Sequence, residues 1–427
     1  MARHGVLNRR TLGLAAAATL VASLAACGGG DEGVPTINLF GGASASGFDE
    51  IIADCNEEAD GKYRIVGNLL PSDADGQREQ LVRRLAAGDT GMDLLGMDVV
   101  WTAEFAEAGW ILPLDEEQAA AASEDTLEVP LETATWKDKL YGIPKHTNAQ
   151  LMWYRKSLVE KVGDGEPPET WDEMFEMAEE LKSMGEPYEI GFTGARYEGL
   201  VVGFNTLLSS FGGTVVNEDS SETTIDDKTV QALELMQRLA SSGLASRSLS
   251  NSQEPEVFAQ LQNGASAFSL NWPYVLSAMR EANPEIAEDL GFAKFPAAVE
   301  GEPSRVTVGG MNFAISAFSE HPDEAFEAAM CLRSPEHQLS HALKAGEPPV
   351  IVSVFDEPEF QEAYPQGDLL LESLETASSR PISPVYQNIS TIISSTLSPP
   401  TGIDPERTAE ELDEAITDAI EGKGILP

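Results

Sequence analysis

Positive charge is scarce in this chain of 427 residues: 27 lysines and arginines stand against 71 aspartates and glutamates, a formal net charge of −44. So acidic a surface repels phosphate backbones and anionic lipid headgroups, which excludes nucleic-acid binding and a polybasic membrane patch. Histidine is rare, at five residues, and cysteine rarer, at three. There is no Cys-x-x-Cys, and the one helically spaced histidine pair, His337 and His341, lacks the flanking glutamate of a zinc-protease helix. No metal and no other cofactor is therefore expected, and the pair is assigned to a solvated helix face. No apolar run reaches the ~20 residues of a membrane span, and no internal repeat is present. Hydrophobic residues still make up 42% of the chain, enough for a real core, so acidity here does not mean disorder. At ~150 residues per domain the length fits two to three domains, or one two-lobed body.

The first thirty residues carry an address. Arg3, His4, Arg9 and Arg10 precede an apolar stretch, residues 11–26, that ends Leu24-Ala25-Ala26-Cys27 and runs into Gly28-Gly29-Gly30. The stretch is too short to span a bilayer and has the layout of a secretory signal. Its end resembles a bacterial lipobox. That resemblance implies removal of residues 1–26, lipidation of Cys27, and a tether over residues 27–35 holding the body at the extracellular face of the membrane. An ordinary signal peptide cleaved near Ala26 is the alternative. Arg9-Arg10-Thr11-Leu12 also resembles a twin-arginine signal, so the export route stays open. In an oxidising compartment the two remaining thiols, Cys55 and Cys331, are more often paired than free, so a disulfide is expected, with two buried free thiols as the alternative.

Beyond the tether, Thr36 to Phe40 predicts a buried strand stopped by Gly41-Gly42. A helix over 48–58, a strand over 63–70, a helix over 77–87 and a strand over 92–97 follow, the last running into Asp98. This alternation predicts parallel βαβ units, an α/β fold whose ligands sit beyond the strand C-termini. Asp98 falls at such an end. Helices over 171–182 (with Thr170 as N-cap), 200–210, 229–241 and 255–262, and a strand over 267–270, continue the pattern. Residues 306–314, apolar and glycine-rich, read as a crossing between lobes, and the C-terminal third reads as helical with a loop at Pro348-Pro349.

Five blocks in order carry a family resemblance. They are Asp93 to Trp101 continuing through Glu104-Phe105-Ala106-Glu107-Ala108-Gly109-Trp110; Lys139-Leu140-Tyr141-Gly142-Ile143-Pro144 with Asn148 and Trp153-Tyr154-Arg155-Lys156; Pro167-Pro168-Glu169-Thr170-Trp171; Gly309-Gly310-Met311-Asn312-Phe313; and Gly346-Glu347-Pro348-Pro349. Together they resemble the extracellular sugar-binding proteins of ABC importers, the maltose-binding-like family. Within it, Gln77-Arg78, Asp98 to Trp110 and Arg380-Pro381-Ile382-Ser383-Pro384 are most similar to the trehalose-binding lipoproteins of actinobacterial importers. The resemblance implies a type II periplasmic-binding-protein fold. One lobe would hold residues 36–147 and 309–345, the other residues 148–308 and 346–427, with a hinge between them. It implies a monomeric receptor with a disaccharide ligand, a membrane permease as partner, and no catalysis. Maltose, maltodextrins and other glycosides remain alternatives to trehalose.

A sugar presents hydroxyls around apolar C–H faces, so its binder needs fixed carboxylates and amides plus an aromatic platform. Asp98 would accept from neighbouring hydroxyls, or merely cap the helix that follows. Asn148, read as lying in a loop after Pro144, would donate and accept, or be an ordinary turn residue. Gln77 is either a ligand or a surface helix residue. Glu254 is a ligand through the resemblance, or a favourable charge at a helix N-terminus. Trp272, pinned before Pro273, would stack on the sugar, or pack in the core. Arg380 would contact ligand, or form a structural ion pair. Gly310, with Gly309, would let backbone approach the sugar or act as a hinge, and Tyr197 is a candidate wall. A glycoside hydrolase is the competing class, since Asp98 and Glu254 could nominally flank a bond as paired carboxylates. A lipid-anchored adhesion or scaffolding protein is a third.

Overall fold

The computed structural model describes residues 33–41, 47–217 and 220–423; the signal segment and Cys27 lie outside them. The first sheet grows from β1 (Thr36–Gly41), where Ile37, Leu39 and Phe40 are buried. β2 (Arg64–Leu69) and β3 (Leu94–Asp98) flank it in parallel. A short hairpin, β4 (Thr135–Trp136) and β5 (Lys139–Leu140), leads into β6 (Gly142–Ala149). The second sheet is built from β7 (Leu151–Arg155), β8 (Glu189–Gly191), β9 (Ser266–Asn271) and β10 (Leu290–Ala293), in the order β10-β7-β9-β8. β11 (Val308–Ile315) returns to the first sheet, which runs β2-β1-β3-β11-β6. The molecule is thus the two-lobed α/β body expected from the sequence.

The sheets are not wholly parallel, as the βαβ reading implied. β11 is antiparallel to both β3 and β6, and β7 is antiparallel to both β9 and β10. The two reversed strands are those by which the chain enters each lobe: β7 follows β6 across Gln150, and β11 follows β10 from the other sheet. No helical crossover within one sheet precedes either strand, and that crossover is what enforces parallel pairing.

Local chemistry sets the helix ends. The helix Ala74–Leu85 begins three residues before the expected Gln77 because Asp73 caps it, accepting from the Gly76 amide at 2.7 Å. Thr170 and Glu173 form a capping box on the helix Trp171–Met184. The helix Glu198–Ser210 is buried along its whole length. It packs between the helices Asp227–Ser241, Tyr386–Leu397 and, through these, Pro405–Ile420. In the first lobe, Cys55 of the helix Phe48–Glu58 is bonded to Cys331 of the helix Pro322–Leu332, with Cα atoms 5.9 Å apart. Among the described residues no helix is long and apolar enough to cross a membrane.

Candidate functional site

The strand and helix ends of the two sheets face one another across a cavity of about 400 Å³, a size that suits a small ligand. Gln77, Asp98, Asn148, Tyr197, Glu254, Trp272, Gly310 and Arg380 all line it. They reach it from separate elements: the helix Ala74–Leu85, the end of β3, β6, the turn before the helix Glu198–Ser210, the start of the helix Glu254–Gln262, the end of β9, β11 and the loop at Arg380.

Arg380 is 3% exposed. Its Nη2 donates to Asp98 Oδ1 at 2.9 Å and its Nη1 to Glu198 Oε1 at 2.6 Å. Burial disfavours the cation, but Asp98, Tyr386 and Glu198 more than offset it, so Arg380 holds its proton more tightly than usual. Asp98 does two jobs, because Oδ1 also accepts from the Val100 amide at 3.1 Å and starts the helical turn after β3. Glu198 escaped the sequence reading. It is the only charged residue of the buried helix Glu198–Ser210, and that isolation was the available signal. The Tyr386 and Ser390 hydroxyls donate to its carboxylate, while burial pushes its pKa above the usual carboxylate range against the pull of Arg380.

On the second lobe the Tyr197 hydroxyl donates to Glu254 Oε2. Burial first, and Glu254 second, raise the Tyr197 pKa well above that of free tyrosine, so this hydroxyl stays a donor. Asn271 ties the neighbourhood together. Its Nδ2 donates to the Glu254 carbonyl at 3.3 Å, and its Oδ1 accepts from the Trp272 amide at 2.8 Å. Trp272 is left half-buried, with part of its ring facing the cavity.

Asn148 is not in a loop. It lies in β6, opposite Gly309 of β11. Pro144 suggested a break, yet the strand absorbs it. The register shifts at Met311/Asn312, leaving Lys145 as the extra residue of a bulge beside Pro144. Asn148 Oδ1 is buried and makes no hydrogen bond among the described residues. A Cβ on Gly309 would fall 2.1 Å from that oxygen and 2.9 Å from the Trp272 ring. Gly310 has φ +134, and a Cβ there would lie 2.3 Å from the His146 carbonyl. Both glycines are therefore required by close approach. Gln77 keeps both of its readings: it sits on a helix and its Nε2 lies 3.5 Å from the Ser72 carbonyl at the cavity rim.

The remaining wall was not foreseen. Lys145, His146 and Glu347 line the cavity, and His341 stands behind them, its ring centroid 6.0 Å from that of His146 and 5.6 Å from that of Phe48. The helical pair His337 and His341 does not face solvent, for the two are 4% and 5% exposed. His337 Nδ1 lies 2.8 Å from the Cys331 carbonyl, beside the disulfide. Spacing alone showed a polar helix face, but packing placed that face against Phe48 and the disulfide. Burial, then Lys145, pushes His146 well below its ordinary pKa. Burial followed by Lys145, with Glu347 opposing, pushes His341 down to about 3.

Taken together, the cavity offers carboxylates, an unsatisfied amide oxygen, a half-exposed indole and approachable backbone. Its most deeply buried cation, Arg380, is already matched by two carboxylates, and Lys145 adds a second positive charge at the wall beside Glu347. Such a set suits a neutral molecule rich in hydroxyls.

Three comparisons bear on this site. The profile of the bacterial extracellular solute-binding protein family matches residues 42–339. A probable ABC transporter-binding protein of Deinococcus radiodurans is 30% identical over 346 residues, covering 78% of this chain and 80% of the relative. An arabinooligosaccharide-binding protein of Halalkalibacterium halodurans is 22% identical, over 76% of this chain and 72% of that protein. Among solved structures, T. maritima MalE3 with maltose bound has a TM-score of 0.81 at 28% identity, covering 89% of this chain and 98% of that one.

Proposed function

The chain belongs to the bacterial extracellular solute-binding proteins, and on that footing we propose that it is a lipid-anchored receptor capturing a disaccharide, most specifically trehalose, for an ABC importer. Support for the transport role comes from the Deinococcus relative, named as an ABC transporter-binding protein. Support for a sugar comes from the arabinooligosaccharide-binding relative and the maltose held by MalE3. Cys27 is the proposed lipid attachment point at the extracellular face, and a membrane permease is the proposed partner.

The observation that carries this reading is the unpaired, buried Asn148 Oδ1 in a cavity shared by both sheets. An orphaned acceptor of this kind costs about 1–3 kcal/mol until a donor reaches it, and a sugar hydroxyl is such a donor. In the proposed complex Asp98, Asn148, Gln77 and Glu254 take hydroxyls, and Trp272 lies against the apolar face of a pyranose. Tyr197 forms the wall and Gly310 gives backbone access. Arg380 contacts the ligand while remaining paired to Asp98 and Glu198. Because the contacts come from both lobes, ligand binding favours the closed arrangement, and the closed form docks on the permease.

Maltose is the second reading, favoured by its presence in the 28% identical MalE3. Calorimetric titration of the protein with trehalose and separately with maltose tests both. Tight 1:1 binding of trehalose with weak maltose binding supports the first reading. Tight maltose binding alone replaces it with the second. Silence from both sugars overturns the disaccharide assignment. Incubation with either sugar is expected to release no glucose, and release would revive the hydrolase alternative.

A further inference from the structure

Three metal-ligand atoms converge behind the sugar residues. His146 Nδ1 on β6, His341 Nε2 on the helix Pro335–Ala345, and Glu347 Oε2 just beyond that helix lie within 4.8 Å of one another. His146 Nδ1 is 3.0 Å and His341 Nε2 3.6 Å from the Glu347 oxygen. The two imidazoles are 7% and 5% exposed, and none of the three atoms makes a hydrogen bond among the described residues.

The absence of a hydrogen bond at 3.0 Å is informative. A ring N–H aimed at the carboxylate would form one, so the oxygen lies off the axis of the ring nitrogen. Three donor atoms this close, each left without a hydrogen bond, are compatible with a shared centre. With metal–ligand bonds of ~2.0–2.1 Å in tetrahedral geometry, neighbouring donor atoms stand about 3.3–3.4 Å apart. The two separations measured here fall on either side of that edge.

We infer that His146, His341 and Glu347 form a binding site for a divalent transition-metal cation of the zinc type, with its remaining position open to the cavity. The donor set of two imidazoles and one carboxylate selects zinc over magnesium or calcium, which prefer oxygen ligands throughout. His146 and Glu347 line the cavity and His341 backs them, so the open position faces inward. Lys145, the bulge residue of β6, has its Nζ 4.5 Å from the Phe48 ring centroid. Its ammonium competes with the cation for Glu347, so occupancy depends on zinc concentration. The cluster of Cys55, Cys331 and His337 is not a rival, since its thiols are consumed in the disulfide.

The site is tested without any sugar, by titrating zinc chloride into untagged, EDTA-stripped protein and counting metal after gel filtration. One zinc per chain is expected, with affinity at least tenfold weaker in His341→Ala and in Glu347→Gln. Melting curves of the metal-free variants show whether each is folded, and His341→Gln replaces the alanine variant if it is not. Failure of the wild-type protein to retain zinc overturns the inference. Equal retention by the His341 and Glu347 variants does so too, because the metal then sits on the acidic surface.

Discussion

Arg380 Nη2 donates to Asp98 Oδ1 at 2.9 Å, joining the end of β3 to the loop that precedes the helix Tyr386–Leu397. The same guanidinium serves Glu198, so removing it strands a carboxylate that is 6% exposed. Breaking a buried pair from one side costs about 3–5 kcal/mol. Arg380→Ala is therefore expected to lose stability of that order in urea unfolding, along with sugar binding. Adding Glu198→Gln should recover much of the stability and none of the affinity. If the double variant is as unstable as the single one, the stranded charge is not the cause.

Trp272 is placed by its neighbour, since Asn271 Oδ1 accepts its amide and Asn271 Nδ2 holds the Glu254 carbonyl. Its half-exposed ring carries little of the core. Trp272→Ala is accordingly expected to weaken sugar binding ten- to a hundredfold, about 1.4–2.8 kcal/mol, while shifting the melting temperature by only a few degrees. Intrinsic fluorescence titration of the wild type and calorimetry of the variant check this. An unchanged affinity would remove Trp272 from the site.

Gly309 is tightly enclosed at the cavity. A methyl group there would meet Asn148 Oδ1 at 2.1 Å and the indole at 2.9 Å, distances no real Cβ adopts. Gly309→Ala must push one of them aside, so sugar affinity should fall at least tenfold. Stability should drop by about 1–3 kcal/mol, the usual penalty of overpacking. Calorimetry together with thermal melts separates the two effects.

Residue chemistry made much of this legible in advance. The Thr170 cap and the apolar strand from Thr36 to Phe40 rest on signals within a turn or two, and such local rules survive in any tertiary setting. Asp98, Glu254 and Trp272 stood out because each sits where a regular element ends. What failed depended on partners distant in sequence. Pro144 signalled a break because its strand partner Asn312, with the bulge that accommodates it, is 168 positions away. Glu198 was not singled out, because its partner Arg380 is 182 positions away. His341 read as solvated because its cover, Phe48, comes from the first helix.

The Cys55–Cys331 bond closes a loop spanning 276 positions, tying the first helix to the helix Pro322–Leu332. Loops of this length gain most from cross-linking on the chain-entropy account, at about 5–6 kcal/mol. The Cys55→Ala, Cys331→Ala double variant is expected to unfold at markedly lower urea concentration while binding sugar with the affinity of the wild type when folded. The cavity lies apart from the bond, so a loss of affinity in the folded variant would show that the disulfide also shapes the site.

Asp289 supplies a pH test away from the cavity. It ends the helix Pro284–Asp289, precedes β10, and reaches the start of the helix Lys156–Val162. The Ser157 hydroxyl and amide donate to its carboxylate at 2.7 and 2.8 Å, and Arg155 Nε donates as well. Burial alone would raise its pKa, but these partners outweigh burial and hold it below the ordinary aspartate value. A carboxyl depressed in the fold binds fewer protons there than in the unfolded chain, so stability rises with pH through the window between the two values. Its contribution is complete above about pH 5 and disappears as pH falls through the folded value. Asp289→Asn should therefore be less stable than the wild type at pH 7 by about 1 kcal/mol, the net scale of one hydrogen bond in this partly exposed setting. Urea midpoints of the two proteins, measured from pH 7 down to pH 3, should converge on acidification. A gap that stays constant across that range would mean that the amide disturbs packing, and that the carboxylate's charge contributes nothing to joining β7 and β10.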